Sequence, residues 1–490
     1  MPPESATAIQ QDKLPSSGVK NATEVPFCVD LNKTLVWTNT HLEIALSCVR
    51  SSFDWLWIPF WLLRGKAYCK RRLARLSQLD VSTLPYNEPL LTRLREMQAA
   101  GRRIVLCTGA DAEIAEKIAA HTRVFDEVLA SDGEENLAGR KKSSVLEGRF
   151  GNAGFDYAGN GNEDIASWRI ARKSFVANPS PVRLRLLASR GVVVEGVFAK
   201  PRHSLLKKWG RAVRVHQWAK NLLVFVPAAL GHRLEILPEL RAFFAFSFAA
   251  SAGYLINDLL DLAADRKHAK KRHRPFASGA ISLEKGIAAI PLLLAASAIV
   301  TIGLPSLFAL SLVAYFFASL TYSLWLKRQA PIDVLMLAGL YALRIGAGGA
   351  VASIPISPWT LAFSIFLFLS LALVKRVSEL RVLKESADGA VPGRMYIKSD
   401  IEQLSSLGGA AGYISVLITA LYIHSSDVQI LYTHPQRLWL ILPILLHWIT
   451  RLWLLTSRGQ IHHDPLVFAM KDRTTYICGF LIFMVAVLAL

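Results

Sequence analysis

Cysteine is scarce in this chain and carries no pattern. Cys28, Cys48, Cys69, Cys107 and Cys478 are odd in number and none stands in a CxxC pair. A disulfide scaffold and a zinc ribbon are thereby excluded, and the thiols read as reduced core or membrane residues. Acidic residues are also in short supply, 37 against 56 Lys plus Arg, for a net charge of +19. Charge disappears altogether from long tracts: residues 286–326 and 345–374 hold neither a charged residue nor a histidine. Such tracts exclude ordinary water-facing helices, and the first is long enough for two membrane crossings broken near Pro305. The N-terminal residues show no basic stretch followed by an apolar one, so insertion is expected to begin from internal spans.

What is present is a membrane composition, 52% hydrophobic with a mean hydropathy of +0.33. About nine spans are expected, near 217–231, 241–260, 285–304, 306–326, 332–352, 357–375, 408–424, 437–456 and 473–490. The surplus cations fall in alternate loops. Lys207, Lys208, Arg211 and Arg214 precede the first span, and Arg266, Lys267, Lys270, Lys271, Arg272 and Arg274 follow the second. Lys327 and Arg328 follow the fourth, Lys375, Arg376, Arg381 and Lys384 the sixth, and Arg458 and Lys471 the eighth. Positive-inside topology then places the N-terminal region and the polar loops on the cytoplasmic side of an inner membrane. It accounts for the basic pI of 9.8 without nucleic acid.

The run NDLLDLAADR places Asn257, Asp258, Asp261 and Asp265 at the polar end of an apolar stretch. Offsets of three, four and seven fall on one helical face, so the groups converge. Oxygen-only ligands followed at once by a basic loop suit magnesium holding a diphosphate better than zinc. The metal ligands expected are Asp258, Asp261 and Asp265.

Upstream of the spans the pattern changes. Residues 1–24 are polar and expected to be disordered. Short apolar runs at 25–29 and 103–107 end at Asp30 and Thr108, as buried parallel strands do, with helical patterns near 88–100 and 111–121. The aromatic stretch FDWLWIPFWLLRGKAY is expected to be a cap or a segment lying at an interface. The residues VDLNKTL (29–35), VLCTG (105–109), Lys142 and FDYAGNGNED (155–164) together resemble the haloacid dehalogenase-like phosphohydrolases. The resemblance implies a Rossmannoid α/β domain over 25–175 with a cap insertion near 41–85. It makes Asp30 the nucleophile, Thr108 the phosphate-holding hydroxyl, Lys142 the neutralising cation and Asp164 a metal ligand. Two positions depart: Asn32 stands where the family's acid/base aspartate is, and Asn160 where a metal carboxylate is. An amide cannot deliver a proton to a leaving alkoxide, so the domain is expected to be weak or inactive as a phosphatase.

Residues 176–206 read as a basic connector. The segments RVHQWAKN (214–221) and NDLLDLAADR (257–266) resemble the UbiA superfamily of intramembrane prenyltransferases over 207–490, which implies an all-α polytopic domain with a magnesium site. Where members acting on aromatic acceptors carry a second acidic motif, this chain has Lys375, Arg376 and Glu379. With YSLWLKR (322–328) and Arg344, the pattern is similar to the decaprenyl-phosphate phosphoribosyltransferase branch. The resemblance implies phosphoribosyl diphosphate as donor and a polyprenyl phosphate as acceptor. Arg214, Lys220, Asn221, Asn257, Arg266, Lys271 and Arg274 would hold the donor. Tyr322, Lys327, Arg344, Lys375 and Glu379 would hold the acceptor, with Lys327 and Lys375 beside the three aspartates at the reacting centre.

Other readings stay open at this point. Prenyl transfer to an aromatic or lipid acceptor is permitted by the first acidic motif, and a transporter would also line a pathway with polar groups. Gly346, Gly348 and Gly349 read as close helix packing rather than a phosphate loop, and His462 and His463 as solvated.

Overall fold

The computed structural model describes residues 25–51, 53–77, 79–200, 204–231, 235–382, 395–461 and 465–490. The chain divides into two units. One comprises Met1–Lys208 with Leu260–Glu284, the other Trp209–Leu259 with Lys285–Leu490.

The first unit is built on β1 Phe27–Val29, β2 Ile104–Asp111, β3 Glu127–Ser131, β4 Asp156–Gly159, β5 Lys173–Ala177 and β6 Val194–Phe198. All pair in parallel, in the order β3-β2-β1-β4-β5-β6. The helices are α1 Thr40–Ser51, α2 Ile58–Leu63, α3 Lys66–Leu76, α4 Glu88–Ala99, α5 Ala112–Thr122, α6 Arg140–Phe150, α7 Ile165–Ile170 and α8 Pro181–Ser189. Strand side chains alternate between two cores. Phe27, Val29, Ile104 and Leu106 enter one, and Cys28, Val105, Cys107 and Tyr157 the other. Both faces are therefore covered, which is why β1 is wholly apolar rather than alternating with polar residues.

The order reverses between β1 and β4, and in such sheets the strands' carboxyl ends open a crevice there. Asp30 follows β1 directly and Asn160 follows β4, while Thr108 lies within β2. This is the architecture that the resemblance implies. The sheet also runs further than expected. Residues 176–206, read from sequence as a connector, contribute α8 and β6 to it.

The second unit is helical and makes the chain a multi-pass membrane protein. Among the described residues seven helices are long and apolar enough to cross: Ile236–Leu260, Leu283–Thr301, Ser306–Leu324, Ile332–Ala352, Pro358–Val382, Lys398–Ile423 and Pro435–Ser457. The expected last span is the shorter Arg473–Ala489, of 17 residues. The expected first span is instead a 3-10 helix, Val215–Phe225, running into the short helix Val226–Leu230. Trp218, Lys220 and Asn221 all have polar or cationic contacts to make there, and Pro227 interrupts the donor ladder. Burial separates interior from peripheral helices: 61% of the apolar window is buried in Ile236–Leu260 and Ile332–Ala352, against 17% in Leu283–Thr301 and Ser306–Leu324. Polar groups should therefore collect on the first two. Gly348 packs so closely that an added Cβ would stand 2.1 Å from the Val224 carbonyl oxygen, and Gly349 abuts Ile356. Close packing is thus what these two glycines do.

Candidate functional site

Three polar clusters carry the residues singled out by sequence. In the first unit, at the crevice, Lys142 on α6 donates to Asp30 at 2.8 Å, to Asp164 at 3.1 Å and to the Tyr157 hydroxyl at 3.1 Å. The Asp164 carboxylate also accepts from the backbone N–H groups of Asn160 and Gly161, each at 2.9 Å. Gly159 is required here, since a Cβ would meet the Asp164 carboxyl carbon at 2.8 Å. Burial lifts the Asp30 pKa to about 6, against the pull of Lys142. Burial works to lower Lys142, but Asp30, Tyr157 and Asp164 outweigh it and the ammonium is held above its usual range.

The two amides at the departing positions are both occupied. Asn32 Oδ1 accepts from the Thr40 backbone N–H and from its hydroxyl, both at 2.8 Å, and so pins the start of α1. Asn160 Nδ2 donates to the Ala177 carbonyl at 2.7 Å, tying β4's end to β5. Thr108 is buried, and its hydroxyl accepts from the Ala110 N–H.

The second cluster lies on Leu260–Glu284, which packs within the first unit although it follows a membrane helix in sequence. Arg266 makes a bidentate pair with Glu43 of α1, both contacts at 2.6 Å, with side chains only 5% and 3% exposed. Its Nε donates to the Ala277 carbonyl at 2.9 Å. Arg50, on the last turn of α1, pairs with Asp261 and donates to the Leu260 carbonyl at 3.1 Å. Arg274 pairs with Asp265 at 2.6 Å. Glu284 receives Lys33 at 2.8 Å and Asn39 at 3.0 Å. Lys271 lies exposed on the turn Lys271–His273. Arg266, expected at the donor, is therefore the tie that fixes this segment.

The third cluster belongs to the membrane unit. Asp258 is 2% exposed and pairs with Arg214, whose guanidinium lies 4.7 Å from the Tyr254 ring centroid. Lys327 reaches Asn257 at 3.4 Å. Arg344 donates to Asn221 at 2.9 Å and to the Tyr315 hydroxyl at 2.7 Å, and sits 4.4 Å over the Tyr315 ring. Lys220 lies 5.7 Å from the Tyr341 ring. On Pro358–Val382, Arg376 is buried and donates to Asp333 at 2.6 Å, Glu379 at 2.7 Å and the Tyr322 hydroxyl at 3.1 Å, while Tyr396 bonds the other Asp333 oxygen. Lys375 beside it is partly exposed.

The structure thus joins Arg344 to Asn221, and Glu379 to Tyr322 through Arg376, pairs expected on different substrates or without a link. It adds Tyr254, Tyr315, Tyr341 and Tyr396, which no charge pattern flagged. Each of the three motif aspartates turns to an arginine, and among the described residues no three His, Cys, Asp or Glu side chains gather around one point. The donor set is nevertheless all oxygen, carboxylates with an amide, which is the chemistry magnesium takes. His462 and His463 lie outside the described residues.

Against known proteins, the UbiA prenyltransferase family matches residues 222–390. The chain is similar to the uncharacterized protein y4nM of Sinorhizobium fredii (strain NBRC 101917 / NGR234), 35% identical over 475 residues, 95% of this chain and 91% of that one. It is similar to nodulation protein NoeC of Azorhizobium caulinodans, 34% identical over 274 residues, 54% of this chain and 88% of the relative. Decaprenyl-phosphate phosphoribosyltransferase of Mycobacterium tuberculosis is 35% identical over 209 residues, 39% of this chain and 66% of that enzyme.

Proposed function

Because the chain belongs, through its membrane unit, to the UbiA prenyltransferase family, we propose that it moves a phosphoribosyl group from phosphoribosyl diphosphate to a polyprenyl phosphate. The observation that carries this reading is the buried cation at the place of a second acidic motif. Arg376 takes up the carboxylates of Asp333 and Glu379 and bonds the Tyr322 hydroxyl, so these acids are not offered to a second metal-bound diphosphate, and Lys375 next to it is the cation assigned to an anionic monoester.

Asp258, Asp261 and Asp265 would hold magnesium, which when bound supplies charge neutralisation for the leaving diphosphate. Arg214 and Arg274, now paired with Asp258 and Asp265, carry the guanidiniums that exchange a carboxylate for a phosphate oxygen when donor arrives. In the transfer, the bond from the sugar C1 to the diphosphate oxygen breaks, with the electron pair leaving on pyrophosphate. A phosphate oxygen of the polyprenyl phosphate forms the new bond to C1. The acceptor is already an anion, so no general base is needed, and Lys327, Arg344 and Lys375 are assigned to steer it. The alternating basic loops support an inner-membrane protein with the acidic motif facing the cytoplasm.

For the soluble unit we propose a holding role with at most weak hydrolysis, since Asn32 and Asn160 serve as structural bonds rather than proton donor and metal ligand.

The test is purified protein in lipid with labelled phosphoribosyl diphosphate, magnesium and polyprenyl phosphate. A lipid-soluble labelled product is expected, and Asp258→Asn or Asp261→Asn should abolish it while the protein stays folded in the membrane. Full activity in either variant would refute the metal assignment. Robust prenylation of an aromatic acid with no sugar transfer would replace the donor and acceptor proposed.

A further inference from the structure

The stretch from Phe53 to Leu63 folds as a 3-10 turn continuing into α2, and its two sides differ sharply. Ile58 and Trp61 point inward onto the core that contains Ile44, Cys48 and Leu73. On the outer side Trp55, Leu56, Trp57, Phe60, Leu62 and Leu63 are exposed, from 39% at Trp55 to 85% at Leu63. Six large apolar side chains in nine consecutive residues make a contiguous patch, where scattered single residues would need no explanation. The next residues are cationic. Arg64 donates to the Tyr68 hydroxyl at 3.4 Å and stacks on its ring at 5.6 Å, and Arg72 approaches the same ring from 6.0 Å. Tyr68, Arg71, Arg72 and Arg75 line one cleft on α3, together with Asp132, Gly133 and Glu134. The apolar patch therefore ends in a cationic cluster that begins at the residue after Leu63.

We propose that this segment is an interfacial anchor, and that its partner is the surface of a bilayer containing anionic lipid. Trp and Phe rings with Leu side chains suit the boundary between headgroups and acyl chains, and neighbouring arginines suit lipid phosphates. Charge complementarity distinguishes this occupant from a second copy of a chain that carries a net charge of +19. The bilayer is at hand because the same chain crosses it. The anchor is independent of which group the membrane unit transfers.

The test uses the full chain in vesicles. All five native cysteines are buried, so Trp57→Cys, Phe60→Cys and Leu63→Cys can each be spin-labelled selectively, with Glu116→Cys on the exposed side of α5 as the aqueous control. In vesicles containing phosphatidylglycerol, labels at 57, 60 and 63 should collide severalfold more with oxygen dissolved in lipid than with a water-soluble nickel complex, and the control should show the reverse. Replacing the anionic lipid with phosphatidylcholine, or adding Arg64→Gln and Arg72→Gln together, should reduce that preference. Labels open to the nickel complex at all three positions would overturn the proposal by showing a water-facing patch. Labels shielded from both quenchers would overturn it by showing a protein contact. An unchanged circular-dichroism spectrum and thermal unfolding midpoint in each variant establish that the fold is intact.

Discussion

Replacing Glu43 with Gln should release Leu260–Glu284 from α1. In the native arrangement Arg266 sends two parallel hydrogen bonds to Glu43, and both side chains are almost wholly shielded from water. Removing one partner of a buried pair leaves the other charge uncompensated, a loss of about 3–5 kcal/mol. Gln keeps one acceptor oxygen, and Arg266 keeps its bond to Ala277, so the lower end, about 3 kcal/mol, is expected. At about 1.4 kcal/mol per decade, the local opening equilibrium rises by roughly a hundredfold. Amide hydrogen exchange of the intact protein, read on residues 262–278 and on α1, measures this directly. In the double variant Glu43→Gln with Arg266→Met most of the loss should return, since neither charge is then stranded, which a double-mutant cycle reads as coupling. Exchange accelerated less than about fivefold in Glu43→Gln would show that the pair carries little energy, and the role given to α1 would fall.

Lys375→Ala should raise the KM for polyprenyl phosphate more than that for the donor, and equal effects in steady-state assays would remove it from the acceptor side. His41, at the start of α1, has its pKa driven down to about 3 by burial and then by Lys70. Between that value and 6.5 the unfolded chain binds a proton that the folded unit does not, so stability is fully present above pH 6.5 and falls as pH drops toward 3. The imidazole is partly exposed, so the full linkage is discounted to about 2 kcal/mol. His41→Gln should flatten acid unfolding over that window, and an unchanged pH profile would contradict the assignment. Asn32→Asp should leave α1 in place, because a carboxylate accepts from Thr40 as the amide does. Asn160→Asp should cost about 1–3 kcal/mol, because it sets an acceptor against the Ala177 carbonyl. The double variant should gain some magnesium-dependent hydrolysis over the unaltered protein, and brisk hydrolysis by the unaltered protein, lost in Asp30→Asn, would show that the amides are tolerated.

The parts of the fold readable in advance are those written by short-range pattern. The charge-free tracts gave the long helices, and apolar runs ending in Asp30 and Thr108 placed two neighbouring strands with their functional residues at one sheet end. Lys142 was findable because the resemblance implies a lysine at that position, and the structure sets it on Asp30. Strand β6 escaped because Val194–Phe198 is a short edge strand whose alternation is broken by Gly196. The partners of Arg266 and Asp261 escaped for a different reason. Glu43 and Arg50 lie more than two hundred residues away, on a helix whose own periodicity explains them as surface charges. Tyr315 sits inside an uncharged tract where a single hydroxyl leaves no periodic mark, yet it is what Arg344 stacks on.

The interleaving of the first unit has a consequence for how the protein is made. Its sheet is complete by β6, but Glu43 and Arg50 meet their partners only on Leu260–Glu284, and Ile236–Leu260 must leave the ribosome before that segment does. At about 5–20 residues per second, roughly 4–17 s pass between the end of β6 at Phe198 and the end of that segment at Glu284. During that interval α1 presents an unpaired carboxylate and guanidinium, and the first unit waits on the insertion of a membrane helix for its last piece. Biogenesis of the two units is therefore coupled in time. A chain truncated before residue 260 would emerge with its N-terminal sheet formed and a charged seam left open to whatever chaperone or protease reaches it first.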